Sequence, residues 1–151
     1  ECLILEKNIA RLVSEQNVLK IAPFLPQINK DITLSSVWVH GDFAPWNIKQ
    51  HCNALSLIDW EDANPSGLPL QDLLHFHVIQ GFLFGQNKKV LIDFFNSNLI
   101  ALYLNTLHIS PQSAQQLTKY YLVTDWLSRM KNEDINHADY LYNLLISLDN
   151  L

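Results

Sequence analysis

The 151-residue sequence is poor in cysteine, glycine and charge, and each shortage excludes a class of protein. Two cysteines, Cys2 and Cys52, are too few for a disulfide framework or a cysteine-based zinc site, so we expect reduced thiols and a cytoplasmic location. Charged residues make up 17% and the formal net charge is -5, which argues against binding to nucleic acid or an anionic membrane. No apolar run approaches the roughly 18 residues of a membrane-spanning helix.

What the sequence does contain is enough apolar residue, 48%, to build the core of one domain. Apolar residues recur at helical spacing over most of the chain outside residues 35–67. The pattern predicts five helices. The first covers about residues 3 to 20, and the second runs from Pro69 to an end marked by Gly81 and Gly85. The others cover Val90 to Leu107, the stretch that begins at Ser110-Pro111, and the region around Leu141 to Leu148.

Residues 35 to 63 have no helical period. Val37 to Val39 and Leu55 to Trp60 are β-prone runs, and Asn64-Pro65-Ser66-Gly67 predicts a closing loop. If the two runs pair as a hairpin, the fold class is mainly α with a short β-hairpin, an α+β domain over residues 1–151. The irregular insertion between helices is where chemistry is expected, because loops on a rigid scaffold carry most functional side chains.

Three side chains of this insertion suit phosphate chemistry. Asp42 follows the first β-prone run and offers a carboxylate that can accept a proton. Asn47 and Asp59 offer oxygens of the kind that Mg²⁺ prefers, and hairpin pairing would bring them to adjacent strand ends. One base and two hard oxygen ligands near a common point is what phosphoryl transfer requires.

The motifs resemble those of the aminoglycoside phosphotransferase and choline kinase family, which has a protein-kinase-like fold. His40-Gly41-Asp42, with Asn47 five positions after the aspartate, is similar to the kinase catalytic loop. Ile58-Asp59-Trp60-Glu61 resembles the metal-binding segment that follows it. The resemblance implies an ATP-dependent kinase in which Asp42 is the catalytic base and Asn47 and Asp59 hold Mg²⁺ with its ATP.

Two further residues receive structural roles from the same resemblance. His40 would brace the catalytic loop, and Asp72 would be the buried aspartate that anchors it from the following helix. The family holds its nucleotide with an N-terminal lobe that contains a glycine-rich loop, and no glycine precedes Gly41. We therefore expect residues 1–151 to be a C-terminal catalytic and substrate lobe, a fragment with weak or no activity alone that is able to self-associate.

Three functions remain open at this stage. The leading one is phosphoryl transfer from ATP to a hydroxyl of a small molecule of the aminoglycoside, choline or sugar type. The alternative is a catalytically inactive, kinase-like binding or scaffold module. Metal-dependent hydrolysis is the third, and it is weaker because only Glu61 and Asp62 offer further ligands nearby.

Other polar and aromatic residues fit two interpretations each. Glu61 is either close to the metal or merely solvated. The C-terminal aromatics and acids, among them Tyr121, Asp125 and Trp126, form either a pocket for a cationic substrate or an ordinary helical core and surface. His75 and His77 lie two residues apart on a predicted helix, so they do not share a face and are not expected to bind a metal together.

Overall fold

The computed structural model describes residues 19–25, 35–87 and 89–150. The chain divides into two units: residues 33–110, here called the motif unit, and residues 1–32 with 111–151, here called the terminal unit. Among the described residues helices predominate in both units, and those of the motif unit add two antiparallel sheets of two strands each. The mainly helical fold class is therefore confirmed. None of the helices in the described parts of the chain is long and apolar enough to cross a membrane.

The strands of the motif unit are β1 (Val37–Val39), β2 (Ile48–His51), β3 (Ala54–Leu57) and β4 (Asn64–Gly67). β2 and β3 form a hairpin in which Ile48 faces Leu57, closed by a two-residue turn at Cys52 and Asn53. Cys52 adopts a left-handed backbone with φ of 52°, as two-residue hairpin turns of the favoured hand require. β1 pairs with β4 through an irregular register that places Val37 opposite Gly67.

The predicted pairing of the two β-prone runs is wrong. Residues of the second run pair with β2, a stretch that the sequence predicts as a polar connection. The predicted loop Asn64 to Gly67 is itself the partner of β1. Gly67 explains the second result, because a Cβ at this position would meet the side chain of Val39. The absence of a side chain therefore lets a stretch typical of loops lie against β1.

The α-helices with both ends inside the described residues are α1 (Gln71–Leu83), α2 (Lys89–Phe95), α3 (Asn98–Thr106), α4 (Pro111–Lys131) and α5 (Ile135–Leu148). The predicted start at Ser110-Pro111 is confirmed. The single helix predicted over Val90 to Leu107 is wrong, because the helical conformation is interrupted at Asn96 and Ser97, where Ser97 is extended with ψ of 129°. Of the helix predicted over residues 3 to 20, only its last residues, Leu19 and Lys20, lie within the described part, and both are helical.

α1 begins two residues later than Pro69 predicts. Leu70 is buried and left-handed, with φ of 68°, so regular helix starts only at Gln71. At the other end Gly85 adopts φ of 65°, the conformation that commonly follows a helix C-terminus, whereas Gly81 lies buried inside the helix. Leu74 and Val78 bury one face of α1, which fixes the helix in the core of the motif unit.

The terminal unit is built on the packing of α4 against α5. Three residues separate the two helices, a length typical of antiparallel helical hairpins. Asp134 caps α5 by accepting a hydrogen bond from the backbone N–H of His137 at 3.4 Å. The fully buried side chains of the terminal unit include Leu122, Val123, Leu141 and Leu145.

Candidate active site

The segment between β1 and β2, residues 40–47, is here called the catalytic loop. Gly41 adopts φ of 90°, and a Cβ there would meet the backbone carbonyl of Asp62, so only glycine fits. Pro45 to Asn47 form one turn of 3-10 helix, in which the Asn47 N–H donates to the Ala44 carbonyl at 3.0 Å. These two features turn the chain sharply at both ends of the loop.

Asp72 holds the start of the catalytic loop from α1. Its Oδ2 accepts a hydrogen bond from the His40 backbone N–H at 2.7 Å, and its Oδ1 accepts one from the Gly41 N–H at 3.1 Å. Hydrogen bonds to an ionised acceptor are stronger than neutral ones. One carboxylate therefore ties two consecutive amides of the loop to α1, and Asp72 is half-buried, whereas the resemblance implies a buried aspartate.

The His40 side chain ties the catalytic loop to the end of β3. Its Nε2–H donates to the backbone carbonyl of Ile58 at 2.8 Å, which fixes the tautomer as Nε2-protonated or the ring as charged. The buried ring packs against Trp60, with 4.7 Å between ring centroids. Trp60 in turn donates its indole N–H to the Leu57 carbonyl at 3.0 Å. The histidine thus joins the two motifs that the sequence places 18 residues apart.

Asp42 presents a carboxylate that is held at both oxygens. Oδ2 accepts a hydrogen bond from the Asn47 side-chain Nδ2 at 2.9 Å, and Oδ1 accepts one from His75 Nε2 at 3.0 Å. The same Asn47 nitrogen donates to the Asp42 backbone carbonyl, also at 2.9 Å. The Asp42 side chain is nevertheless 37% exposed, so a small molecule can reach it. A fixed yet accessible carboxylate can act as a general base.

Asn47 and Asp59 are brought together by the β2–β3 hairpin. The ladder that pairs Ile48 with Leu57 continues with a bond from the Ile58 N–H to the Asn47 carbonyl at 3.0 Å, so Asp59 comes directly after the residue facing Asn47. Asp59 is exposed and adopts φ of 66°. Left-handed backbone costs a non-glycine residue about 1 kcal/mol or more, and such residues cluster at functional sites.

These two residues fit a magnesium ion by the chemistry of their donors. The Asn47 amide nitrogen is committed to Asp42, which leaves its Oδ1 on the other side of the amide group, and Asp59 adds a carboxylate. Mg²⁺ typically takes one or two such protein ligands and completes its shell with water and substrate phosphates. Within residues 19–25, 35–87 and 89–150, no three histidine, cysteine, aspartate or glutamate side chains group to form an all-protein metal site.

His75 is the residue that sequence reasoning missed. It was considered only as half of a metal pair with His77, whereas its ring contacts the carboxylate of Asp42. The available signal was its spacing from Asp72, since residues three apart share a helix face. The face of α1 that binds the backbone of His40 and Gly41 through Asp72 also contacts the next residue of the catalytic loop, Asp42.

An apolar groove of about 360 Å³ has His40, Phe43, Trp60 and Asp72 in its lining. Trp38, Leu57 and Tyr103 line it, but the Asp42, Asn47 and Asp59 side chains do not. Burial raises the pKa of Tyr103, and the negative charge of Asp72 adds to the increase, while the Leu70 N–H that donates to its hydroxyl opposes it. The groove therefore adjoins the candidate active site without including the side chains of Asp42, Asn47 and Asp59.

The C-terminal aromatics and acids lie in the terminal unit. Trp126 is buried, and Asp125 accepts hydrogen bonds from Arg129 Nε at 3.1 Å and from the Tyr121 hydroxyl at 3.4 Å. Burial and the adjacent Asp125 charge raise the pKa of Tyr121 well above 10, so the phenol stays protonated. This arrangement favours the interpretation of these residues as helix-packing groups. Glu61, which belongs to the motif unit, is exposed.

The comparisons with known proteins agree with the motifs. Residues 5–100 match the profile of the phosphotransferase enzyme family, a span that covers more than half of the chain and includes the whole of the candidate active site. No curated protein and no solved structure matches the chain. The family match and the geometry from His40 to His75 lead to one conclusion: the chain belongs to the phosphotransferase enzyme family.

Proposed function

We propose that the chain is the catalytic and substrate-binding lobe, the C-terminal lobe of a protein-kinase-like fold, of an ATP-dependent small-molecule kinase. The hydrogen bonds of Asn47 support this proposal most directly. Its side-chain nitrogen donates to Asp42 Oδ2 at 2.9 Å, and its backbone carbonyl accepts a hydrogen bond from Ile58, next to Asp59. One residue thereby joins the proposed base to the proposed metal ligands, which is the combination that phosphoryl transfer uses.

In the proposed reaction a hydroxyl of the substrate attacks the γ-phosphorus of ATP. The new bond joins the hydroxyl oxygen to phosphorus, the bond to the ADP oxygen breaks, and Asp42 accepts the hydroxyl proton. Asn47 and Asp59 are the ligands for Mg²⁺, which neutralises phosphate charge when it is bound. Catalysis of this kind depends on positioning and electrostatics, so the loss of one of these oxygens is expected to be severe.

The first experiment measures transfer of radiolabelled phosphate from Mg-ATP in the full-length protein. The acceptors are a panel of aminoglycosides, amino alcohols such as choline, and sugars. Asp42→Asn is expected to lower kcat by about 100- to 10,000-fold, the usual contribution of a general base. Asp93→Asn is the matched control, because Asp93 is an exposed carboxylate of α2 whose partner is Lys89 at 3.7 Å. Near-normal turnover of Asp42→Asn would contradict the assignment.

A second variant tests the metal ligand separately. Asp59→Asn keeps the size of the side chain but removes the charge, so we expect a kcat at least about 100-fold lower and a higher Mg²⁺ requirement. A binding or scaffold module predicts instead that no acceptor is phosphorylated by the wild type. Hydrolysis of a phosphate ester without nucleotide would favour the metal-dependent hydrolase.

A further inference from the structure

We propose that His75 is a positioning residue for Asp42, the group that orients the base toward the substrate hydroxyl. This inference rests on the proposed kinase function and deepens it. The contact that carries it joins His75 Nε2 to Asp42 Oδ1 at 3.0 Å. An ionised carboxylate only accepts hydrogen bonds, so the histidine nitrogen is the donor.

The two oxygens of Asp42 are held by donors from different parts of the motif unit. Asn47 belongs to the catalytic loop and donates to Oδ2, while His75 belongs to α1 and donates to Oδ1. A carboxylate with a donor on one oxygen still turns about its Cβ–Cγ bond. A donor on each oxygen fixes the plane of the group and leaves its remaining lone pairs in defined directions.

The two side chains of this contact differ in how much of their surface is exposed to solvent. The His75 side chain is 15% exposed, whereas that of Asp42 is 37% exposed. The hydrogen bond is therefore partly shielded from water on the histidine side, while the aspartate keeps an accessible edge for a substrate. That combination fits a group that orients a base without itself contacting the substrate.

α1 is suited to this role because it holds the catalytic loop at two levels. Asp72 binds the backbone N–H groups of His40 and Gly41, and His75 binds the side chain of the next residue, Asp42. The two α1 residues are one helical turn apart and so lie on one face. Since Leu74 and Val78 of α1 are packed in the core, the helix transmits its rigidity to both the loop backbone and the base.

The test compares three variants of the full-length protein with the acceptor that the Mg-ATP panel identifies. His75→Leu removes the donor at similar volume, and His75→Gln restores an N–H donor. His77→Leu is the matched control, because it makes the same change two residues along α1 on a ring that packs against Phe94. The readouts are kcat, KM for the acceptor and the thermal midpoint.

We expect His75→Leu to lower kcat by about 10- to 100-fold with little change in KM, since a misplaced reacting group costs this much without weakening binding. His75→Gln should recover most of this loss, and His77→Leu should retain wild-type kcat. In an Asp42→Asn background, His75→Leu should add less than about twofold, because residues that act through one contact are not additive.

Each other outcome overturns the inference. If His75→Leu has the kcat of His77→Leu while Asp42→Asn is inactive, the positioning role is wrong and the kinase proposal stands. If His75→Gln is as impaired as His75→Leu at an unchanged thermal midpoint, the donor role is wrong. If the wild type phosphorylates no acceptor from Mg-ATP, the proposed function is wrong and the inference falls with it.

Discussion

Replacing Asp72 by asparagine removes one acceptor atom from the contact between α1 and the catalytic loop. In the wild type, Asp72 accepts hydrogen bonds from the His40 and Gly41 N–H groups at 2.7 and 3.1 Å. Asparagine keeps one acceptor oxygen but points an NH₂ group at the other N–H donor. A hydrogen bond to a charged group contributes about 1.5 to 3 kcal/mol, and the surviving bond becomes neutral and weaker, so we expect the loop contact to lose about 2 to 4 kcal/mol.

Amide hydrogen exchange reads this loss at the two atoms concerned. Because 1.4 kcal/mol corresponds to a factor of ten, local opening of the loop should lower the protection of the His40 and Gly41 amides by about 30- to 1,000-fold. Amides in the middle of α1, such as that of Val78, should change much less. The measurement does not depend on a substrate, so it applies whatever the chain phosphorylates.

Asp93→Asn is again the matched control. Asp93 and its partner Lys89 are 55% and 73% exposed, and surface pairs of this kind contribute about 0.5 kcal/mol or less. Equal protection of the His40 and Gly41 amides in Asp72→Asn and Asp93→Asn would refute the anchoring role of Asp72. A uniform fall across all amides would mean that Asp72 stabilises the whole unit and not the loop in particular.

Two further changes test the backbone and the pH response. Gly41→Ala should lower the free energy of unfolding in urea by about 2 to 4 kcal/mol, because the position is left-handed and the new Cβ meets Asp62. Gly85→Ala is the control, since Gly85 is also left-handed but has open space around it, and it should cost only about 1 kcal/mol. Equal losses would contradict the packing argument. Burial lowers the pKa of His77 from its usual 6.5, and the negative charge of Asp93 opposes this decrease. The unfolded chain therefore binds the proton more tightly than the folded protein does. Stability should fall as pH drops below about 6.5. His77→Leu should reduce that slope in urea midpoints measured between about pH 5 and 7.5, and an unchanged slope would assign it to other groups.

The candidate site could be predicted from sequence because its chemistry is concentrated in short motifs. Asp42, Asn47 and Asp59 lie within 18 residues, and the structure joins Asp42 to Asn47 by a hydrogen bond and places Asp59 next to the backbone partner of Asn47. Asp72 was named only through the family resemblance of Pro69-Leu70-Gln71-Asp72 on the following helix. Local spacing carries this information because turns and hairpins are decided by neighbouring residues.

Strand pairing could not be predicted in the same way. β1 has only three residues, and its partner β4 reads as a loop because it contains Asn64, Pro65 and Gly67. What selects this partner is the space that Gly67 leaves for Val39, a contact between residues 28 positions apart. Periodicity reports which face of a strand is buried but not which distant segment lies beside it. The same limit hid His75, whose significance depends on a loop 33 residues earlier.

The catalytic loop is held by contacts from two other elements, α1 and the end of β3. Asp59, which follows β3, has a left-handed backbone that is unfavourable for a non-glycine residue, whereas Gly41 adopts its left-handed backbone without that cost. Asp72 and His75 fix the catalytic loop from α1, and the His40 ring fixes it from the end of β3. A base that is to act on a substrate hydroxyl must already point in the right direction before the substrate arrives. Contacts from two independent elements accomplish this, because a shift of one element alone is resisted by the other.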